Sequence, residues 1–285
     1  MDVTVRRGTP EDAGACGRIC YQAFATLAAA HGFPCDFPSV EVATGLTARL
    51  LANPGIYAVV ADAGGDVVGS NFLDERAAIG GVGPITVDPA VQDSAVGRRL
   101  MEAVMERAAE QGAAGVRLVQ AAYHTRSLAL YAKLGFQVRE PLACLQGPPL
   151  GITVDGRAVR PATIADLEAC NRVCRAVHGH DRAGQVSDAL AGGTAVVVEY
   201  DRRITGYSSG LSFFAHSVGE TLDDLKALIG AAAGFGGPGI LVPMRNGALF
   251  GWCLEHGLRV VQVMTLMSTG FYHDPAGAYL PSIMY

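Results

Sequence analysis

Apolar and polar residues alternate along this chain with two periods, two residues and 3.6 residues, and the switches between them mark short strands and amphipathic helices. Val3 to Arg6 reads as a strand. Thr9 then stands where a helix N-cap belongs, with Glu11 and Asp12 in the first turn, where a carboxylate favours the positive end of the helix dipole. Tyr57 to Ala61, a polar turn and Val67 to Gly69 read as a hairpin. Ile85 to Val87 reads as a buried strand stopped by Pro89, and Leu100, Met101, Val104 and Ala108 recur at helical spacing between Arg98 and Gln111. Val116 to Gln120 predicts another strand, and His124 to Gly135 a helix closed by its glycine.

The same order of elements returns later in the chain. Thr9, Asp12, Ala15, Cys16, Arg18 and Cys20 recur 154 residues on as Thr163, Asp166, Ala169, Cys170, Arg172 and Cys174, again behind a strand-like run at Val159 and Arg160. Ala195 to Glu199 and Ile204 to Gly206 repeat the hairpin, with Gly206 lying 137 residues after Gly69. Tyr131 to Phe136 returns as Cys253 to Leu258, at an offset of 122. Three matches in one order imply duplication, and the falling offset means that the second copy has lost residues twice. Its middle, Phe213 to Gly239, contains a helix-like stretch from Glu220 to Lys226 but nothing like the segment 92–97 of the first copy. The expected domains are residues 1–145 and 152–285.

That segment, Gln92-Asp93-Ser94-Ala95-Val96-Gly97, lies between the buried strand and the next helix. Small side chains there let backbone N–H groups approach a ligand, and the helix start adds its positive end, so a pyrophosphate would suit it. The loop resembles the pyrophosphate signature of GNAT acetyltransferases, Gln/Arg-x-x-Gly-x-Gly/Ala, with Ala95 at the first glycine and Gly97 at the second. His124 to Phe136 is similar to the family's closing pattern, Asn-x-x-Ala-x-x-x-Tyr-x-x-x-Gly-Phe, with His124 at the Asn and Ser127 at the Ala. The resemblance covers residues 3–140. It implies an α/β (α+β) fold class, two tandem GNAT folds, each a mixed, mostly antiparallel sheet splayed near its centre and flanked by helices, the second one truncated.

The resemblance also implies acetyl-CoA as the cofactor. Its pantetheine arm would pair with the backbone of Ile85, Thr86 and Val87, and its pyrophosphate would rest on Asp93 to Arg98. Gln92, His124 and Ser127 complete the expected cofactor set. Tyr131 would be the general acid that protonates the departing thiolate, and Cys253 at its place in the second copy agrees with an inactive domain.

Composition narrows the chemistry. Half of the 285 residues are hydrophobic and 17% are charged, ample for two cores. A net charge of −5 speaks against nucleic acid as a partner and is compatible with a cationic substrate. The amino terminus has no signal-peptide pattern and no run reaches the ~20 apolar residues of a membrane span. The seven cysteines include no Cys-x-x-Cys pair. The reading is a cytoplasmic protein with reduced thiols, no metal, no membrane partner, and a monomeric or homodimeric state. His178 and His180 with Asp181 read as a surface turn rather than a metal site.

Acetyl transfer also needs a neutral amine. Asp74 and Glu75, on neighbouring positions of the strand before the cofactor strand, are candidate bases, with Glu75 also a candidate amine anchor; alternation sends them to opposite faces, and a water relay is an equal possibility. Asp36 and Phe37, in the aromatic segment 23–40, are candidates for the acceptor wall or for a packed helix connection. The tail 278–285 is apolar and aromatic, so it is expected to be docked, with Tyr285 at the acceptor. The expected acceptor is a small-molecule amine, aminoglycoside-type polyamines among the classes. Protein or peptide acetylation and a non-catalytic acyl-CoA sensor are the alternatives.

Overall fold

A computed structural model of the protein describes residues 3–91 and 95–285. Gln92, Asp93 and Ser94 lie outside the described residues. The chain divides into two units, one of residues 1–118, 124–135 and 284, the other of residues 119–123, 136–283 and 285. Among the described residues, no helix is long and apolar enough to cross a membrane.

The first unit runs β1 (Thr4–Arg7), α1 (Ala13–His31), α2 (Val40–Ala52), β2 (Ile56–Ala63), β3 (Asp66–Asp74), β4 (Ile79–Val82), β5 (Thr86–Val87), α3 (Val96–Glu110), the first residues of β6 (Gly115–Ala121), and α4 (Thr125–Lys133). Its sheet has the order β1-β2-β3-β4-β6, antiparallel except for the parallel pair β4–β6. β4 pairs with β6 as far as Gly81, opposite Arg117. The chain then stays with β3, where Ser70 faces Thr86 and Gly69 faces Val87. β5 therefore has one strand neighbour, β3, among the described residues. The sheet opens there, as the sequence resemblance implies.

Local chemistry explains the first helix. Asp12 accepts from the Thr9 backbone N–H at 2.8 Å, and both of its oxygens receive the Arg6 guanidinium at 2.9 Å. Gly32, at φ 71°, closes α1 in the left-handed region that a side chain avoids. α3 packs through Leu100, Met101 and Val104, all fully buried, and burying each such side chain contributes about 1.5–3 kcal/mol. A second cluster of Leu50, Ile56, Ala58 and Phe72 carries Leu46, Leu51 and Met284 on its flank.

The second unit continues with β7 (Gln137–Gln146), β8 (Arg157–Pro161), α5 (Leu167–His178), α6 (Ala183–Ala191), β9 (Val196–Tyr200), β10 (Arg203–Ser208), β11 (Ser217–Gly219), α7 (Leu222–Gly230), β12 (Ile240–Pro243), α8 (Gly247–Glu255), β13 (Arg259–Gly270) and β14 (Ala278–Leu280). One antiparallel sheet has the order β14-β11-β10-β9-β8. The tail is docked through β14, which pairs with β11.

The duplication is written into the side-chain geometry. Arg160 grips Asp166 at 2.8 and 2.9 Å, and Asp166 accepts from the Thr163 N–H at 2.8 Å, the Arg6–Asp12–Thr9 arrangement 154 residues on. Both hairpins shift register next to their glycine, between Ala61 and Asp62 opposite Gly69 and between Ile204 and Gly206. α4 and α8 each have nine residues, with Tyr131 and Cys253 seventh, and each is followed by a left-handed glycine, Gly135 at φ 88° and Gly257 at φ 92°. Strand pairing departs from simple repetition at β7. This last strand of the first copy pairs with β12 on one side and β13 on the other, both from the second copy. The two units consequently divide at residue 135, ten residues before the first copy ends.

Candidate active site

β5, the start of α3 and α4 converge within the first unit. A Cβ added to Gly97 would lie 3.7 Å from Leu130 on α4 and 3.8 Å from Val87 on β5. Thr86 is buried and its hydroxyl is 3.3 Å from that of Ser70. The Cys16 thiol also hydrogen-bonds Ser70, and burial pushes it up to about 11, so it stays protonated and is no nucleophile. The sequence marks Cys16 only as part of the repeat and does not mark Ser70, because nothing local identifies a residue that a distant strand brings in.

The start of α3 could receive an anion. Ala95 is left-handed, at φ 60° and ψ 6°, a conformation that disfavours a larger side chain. The first turn has no acidic residue, and among the described residues no side chain caps it. Arg98 and Arg99 add positive charge beside it; Arg98 pairs with Glu102 at 3.4 Å and Arg99 with the Val3 carbonyl. Helix N–H groups without a side-chain acceptor, with basic residues beside them, suit a pyrophosphate.

The equivalent helix of the second copy, α7, is already satisfied. Thr221 accepts from the Asp224 N–H at 3.3 Å, and Asp224 accepts from the Thr221 N–H at 2.9 Å and hydroxyl at 2.7 Å. Arg157 and Thr205 also donate to Asp224, at 3.0 and 2.7 Å. Asp223 adds a second carboxylate to the same turn. α7 thus carries two carboxylates in its first turn, where α3 has none.

α4 carries a row of three polar side chains. His124 Nδ1 lies 2.8 Å from the Ser127 hydroxyl, and Ser127 hydrogen-bonds Tyr131 one turn further on. Burial pushes the Tyr131 phenol up to about 12, against the smaller opposing effect of Ser127. Burial also lowers the His124 imidazole below its ordinary value, helped by the charges of Arg126 and His31. Both groups are therefore neutral at pH 7.

The two carboxylates of β3 and its following turn are differently placed. Asp74 receives Arg76 through Nε at 2.9 Å and Nη2 at 2.8 Å, and Glu75 receives Arg107 at 2.8 and 2.9 Å. Asp74 is four residues along β3 from Ser70, about 13 Å at strand rise. Arg76 was visible beside them in the sequence. Arg107 was not, because it arrives from α3.

Asp36 and Phe37 lie in the connection from α1 to α2 and are buried, with Phe37 edge-on to Phe24 at 5.5 Å between centroids. Tyr285 lies in the second unit, buried, its hydroxyl 2.9 Å from His180 Nε2. His178 and His180 are not the surface turn that the sequence suggests: they are 5% and 7% exposed. They end and follow α5 around Gly179, at φ 77°, and residues about 100 positions later, Tyr279 and Tyr285, cover them.

Residues 24–136 match the acetyltransferase (GNAT) family. The IAA acetyltransferase of Azospirillum brasilense is 31% identical over 112 residues, which span 39% of this chain and 73% of that protein. The chain belongs to the GNAT acetyltransferase family. Two solved structures extend the likeness over both copies. A putative acetyltransferase from Pyrococcus horikoshii is 17% identical, with a TM-score of 0.73 and coverage of 97% of this chain and 94% of that one. A tandem GNAT protein from the clavulanic acid biosynthesis pathway is 14% identical, with a TM-score of 0.58 and coverage of 94% and 98%. At such identities the likeness concerns the fold, which is a tandem GNAT fold. The protein is an acetyl-transferring enzyme, and acetyl-CoA is the donor that its family uses. Among the described residues, the start of α3 has no side-chain cap and β5 has one strand neighbour, and both fit that donor.

Proposed function

We propose that residues 1–145 form the catalytic copy, which transfers acetyl to a primary amine of a small molecule, and that residues 152–285 form a copy that binds no acetyl-CoA. Acetyl-CoA, when bound, supplies an activated thioester whose sulfur leaves as a thiolate. Ile85, Thr86 and Val87 would hold the pantetheine arm by backbone pairing, and Ala95, Val96, Gly97 and Arg98, with Gln92, Asp93 and Ser94, the pyrophosphate. The observation that carries the reading is the neutral, buried Tyr131 at the end of the His124–Ser127 row. With acetyl-CoA bound, the Tyr131 hydroxyl would give its proton to the departing sulfur, Ser127 would replace it, and the His124 Nδ1–H tautomer would replenish Ser127 while Nε2 takes a proton from water. No enzyme nucleophile is needed, since the amine attacks directly.

Asp74 and Glu75 are each tied to a guanidinium at two points, so the amine proton leaves through water rather than directly to either carboxylate. The acceptor is a small cationic amine, with aminoglycoside-type polyamines one class; the net charge of −5 supports this. Asp36 is the carboxylate proposed to meet it, with Phe37 beside it.

Thiol release from acetyl-CoA across aminoglycosides, polyamines, amino acids and peptides tests the reading. Turnover with a small amine is the expected result; peptide-only turnover, or none despite tight acetyl-CoA binding, would refute it. Tyr131→Phe should lower kcat by about 10²–10⁴ with acetyl-CoA affinity unchanged. Ser127→Ala should lower kcat less and also shift its pH profile, because Tyr131 loses its proton source. Full activity in Tyr131→Phe would remove the general-acid role.

A further inference from the structure

Arg182, just before α6, is 4% exposed, yet among the described residues its guanidinium has no hydrogen bond and no ion pair. Its Nε and Nη2 are both closed off from solvent without a partner. The group against it is the Tyr285 ring, whose centroid is 4.4 Å from Cζ. Around it lie the rings of Tyr285, His180, Tyr207 and His216, all of the same unit. The Tyr285 hydroxyl and His180 Nε2 are 2.9 Å apart, and His180 Nδ1 donates to the Asp181 carbonyl at 3.1 Å. Tyr207 and His216 Nε2 are 2.9 Å apart and buried. Burial, and next the Arg182 charge, hold His216 well below its ordinary value, and burial holds the Tyr207 phenol well above its own. The adjacent acid, Asp181, is committed to Arg175 at 2.7 Å. The contrast within the unit is Arg157, which is matched to the buried Asp224 at 3.0 Å.

A buried guanidinium without a counter-charge is strongly destabilising. One aromatic face offsets only part of that cost. The remainder calls for an anion. Nε and Nη2 share one edge of the planar fork, and two parallel N–H bonds from that edge match the two oxygens of a carboxylate.

We propose that Arg182 anchors a binding site for a small carboxylate in the second unit, and that the Tyr285 ring is its removable cover. The ligand displaces Tyr285 from the guanidinium, takes the Nε–Nη2 edge with its two oxygens, and leaves its apolar part among the rings of His180, His178 and Tyr279. The site is built from residues of the second unit and does not depend on the proposed acceptor.

Thermal unfolding of the full chain, titrated with acetate, benzoate, phosphate and chloride at constant ionic strength, tests it. The wild type should gain stability saturably with the carboxylates and not with chloride, as selective binding to the folded state requires. Tyr285→Ala should reach half-saturation at least threefold lower in carboxylate, because the cover is gone. Arg182→Met should show no carboxylate effect while melting no lower than the wild type without ligand, since it removes an unpaired charge. Arg182→Lys keeps the charge but not the fork, and should weaken the response at least tenfold. No carboxylate-specific shift in either the wild type or Tyr285→Ala would overturn the proposal. So would an undiminished response in the Arg182 variants, or a response to phosphate alone.

Discussion

Gly97→Asp separates anion binding at α3 from helix stability, because the two should move in opposite directions. Gly97 is in the first turn, and a Cβ there makes ordinary contacts at 3.7 and 3.8 Å with Leu130 and Val87. The added carboxylate faces the positive helix end, which favours it by about 0.3–1 kcal/mol. Thermal stability should therefore hold or rise. Acetyl-CoA meets the opposite effect: a negative charge about 5 Å from one phosphate charge costs about 3 kcal/mol at an effective dielectric of about 20. That is about 140-fold in Kd, at about 1.4 kcal/mol per decade. α7 already shows the arrangement, with Asp223 and Asp224 in its first turn. Calorimetric titration would compare acetyl-CoA with S-acetylpantetheine, which lacks the pyrophosphate. The variant should lose acetyl-CoA affinity and keep acetylpantetheine affinity. A folded Gly97→Asp protein that binds acetyl-CoA within threefold of the wild type would refute the assignment of the anion site to α3.

His124 and His216 are held below 6.5 in the folded protein, so below that pH the unfolded chain binds protons that the folded one refuses. Stability should thus fall as pH drops from about 7 to 5, by up to about 1.4 kcal/mol per pH unit for each group. His216→Gln should flatten that slope in denaturant titrations, and an unchanged slope would exclude His216 as a source. Gly206→Ala should cost about 1–3 kcal/mol, because its Cβ would sit 2.9 Å from both the Val218 carbonyl oxygen and Val198. Gly247→Ala, with nothing within 4 Å, is the control and should be neutral or stabilising; equal midpoints for the two would contradict the packing at Gly206.

Short-range chemistry is legible in the amino-acid order alone. Thr9 with Asp12, and Thr163 with Asp166, declare helix starts within four residues, and Gly135 and Gly257 declare helix ends. The strand–loop–helix order around residues 85–97 and the closing helix with Tyr131 were legible for the same reason, and they carried the family. Partners that come from far along the chain emerge only on folding. Folding ties Glu75 to Arg107, 32 residues on, and sets Ser70 beside Thr86 and Cys16. It places β7 between two strands of the second copy, and it buries His178 and His180, a surface turn by local pattern, under Tyr279 and Tyr285. Capping and periodicity depend on neighbours a turn away. Burial, ion pairing and strand partners depend on which distant segments fold together, and no local pattern specifies those.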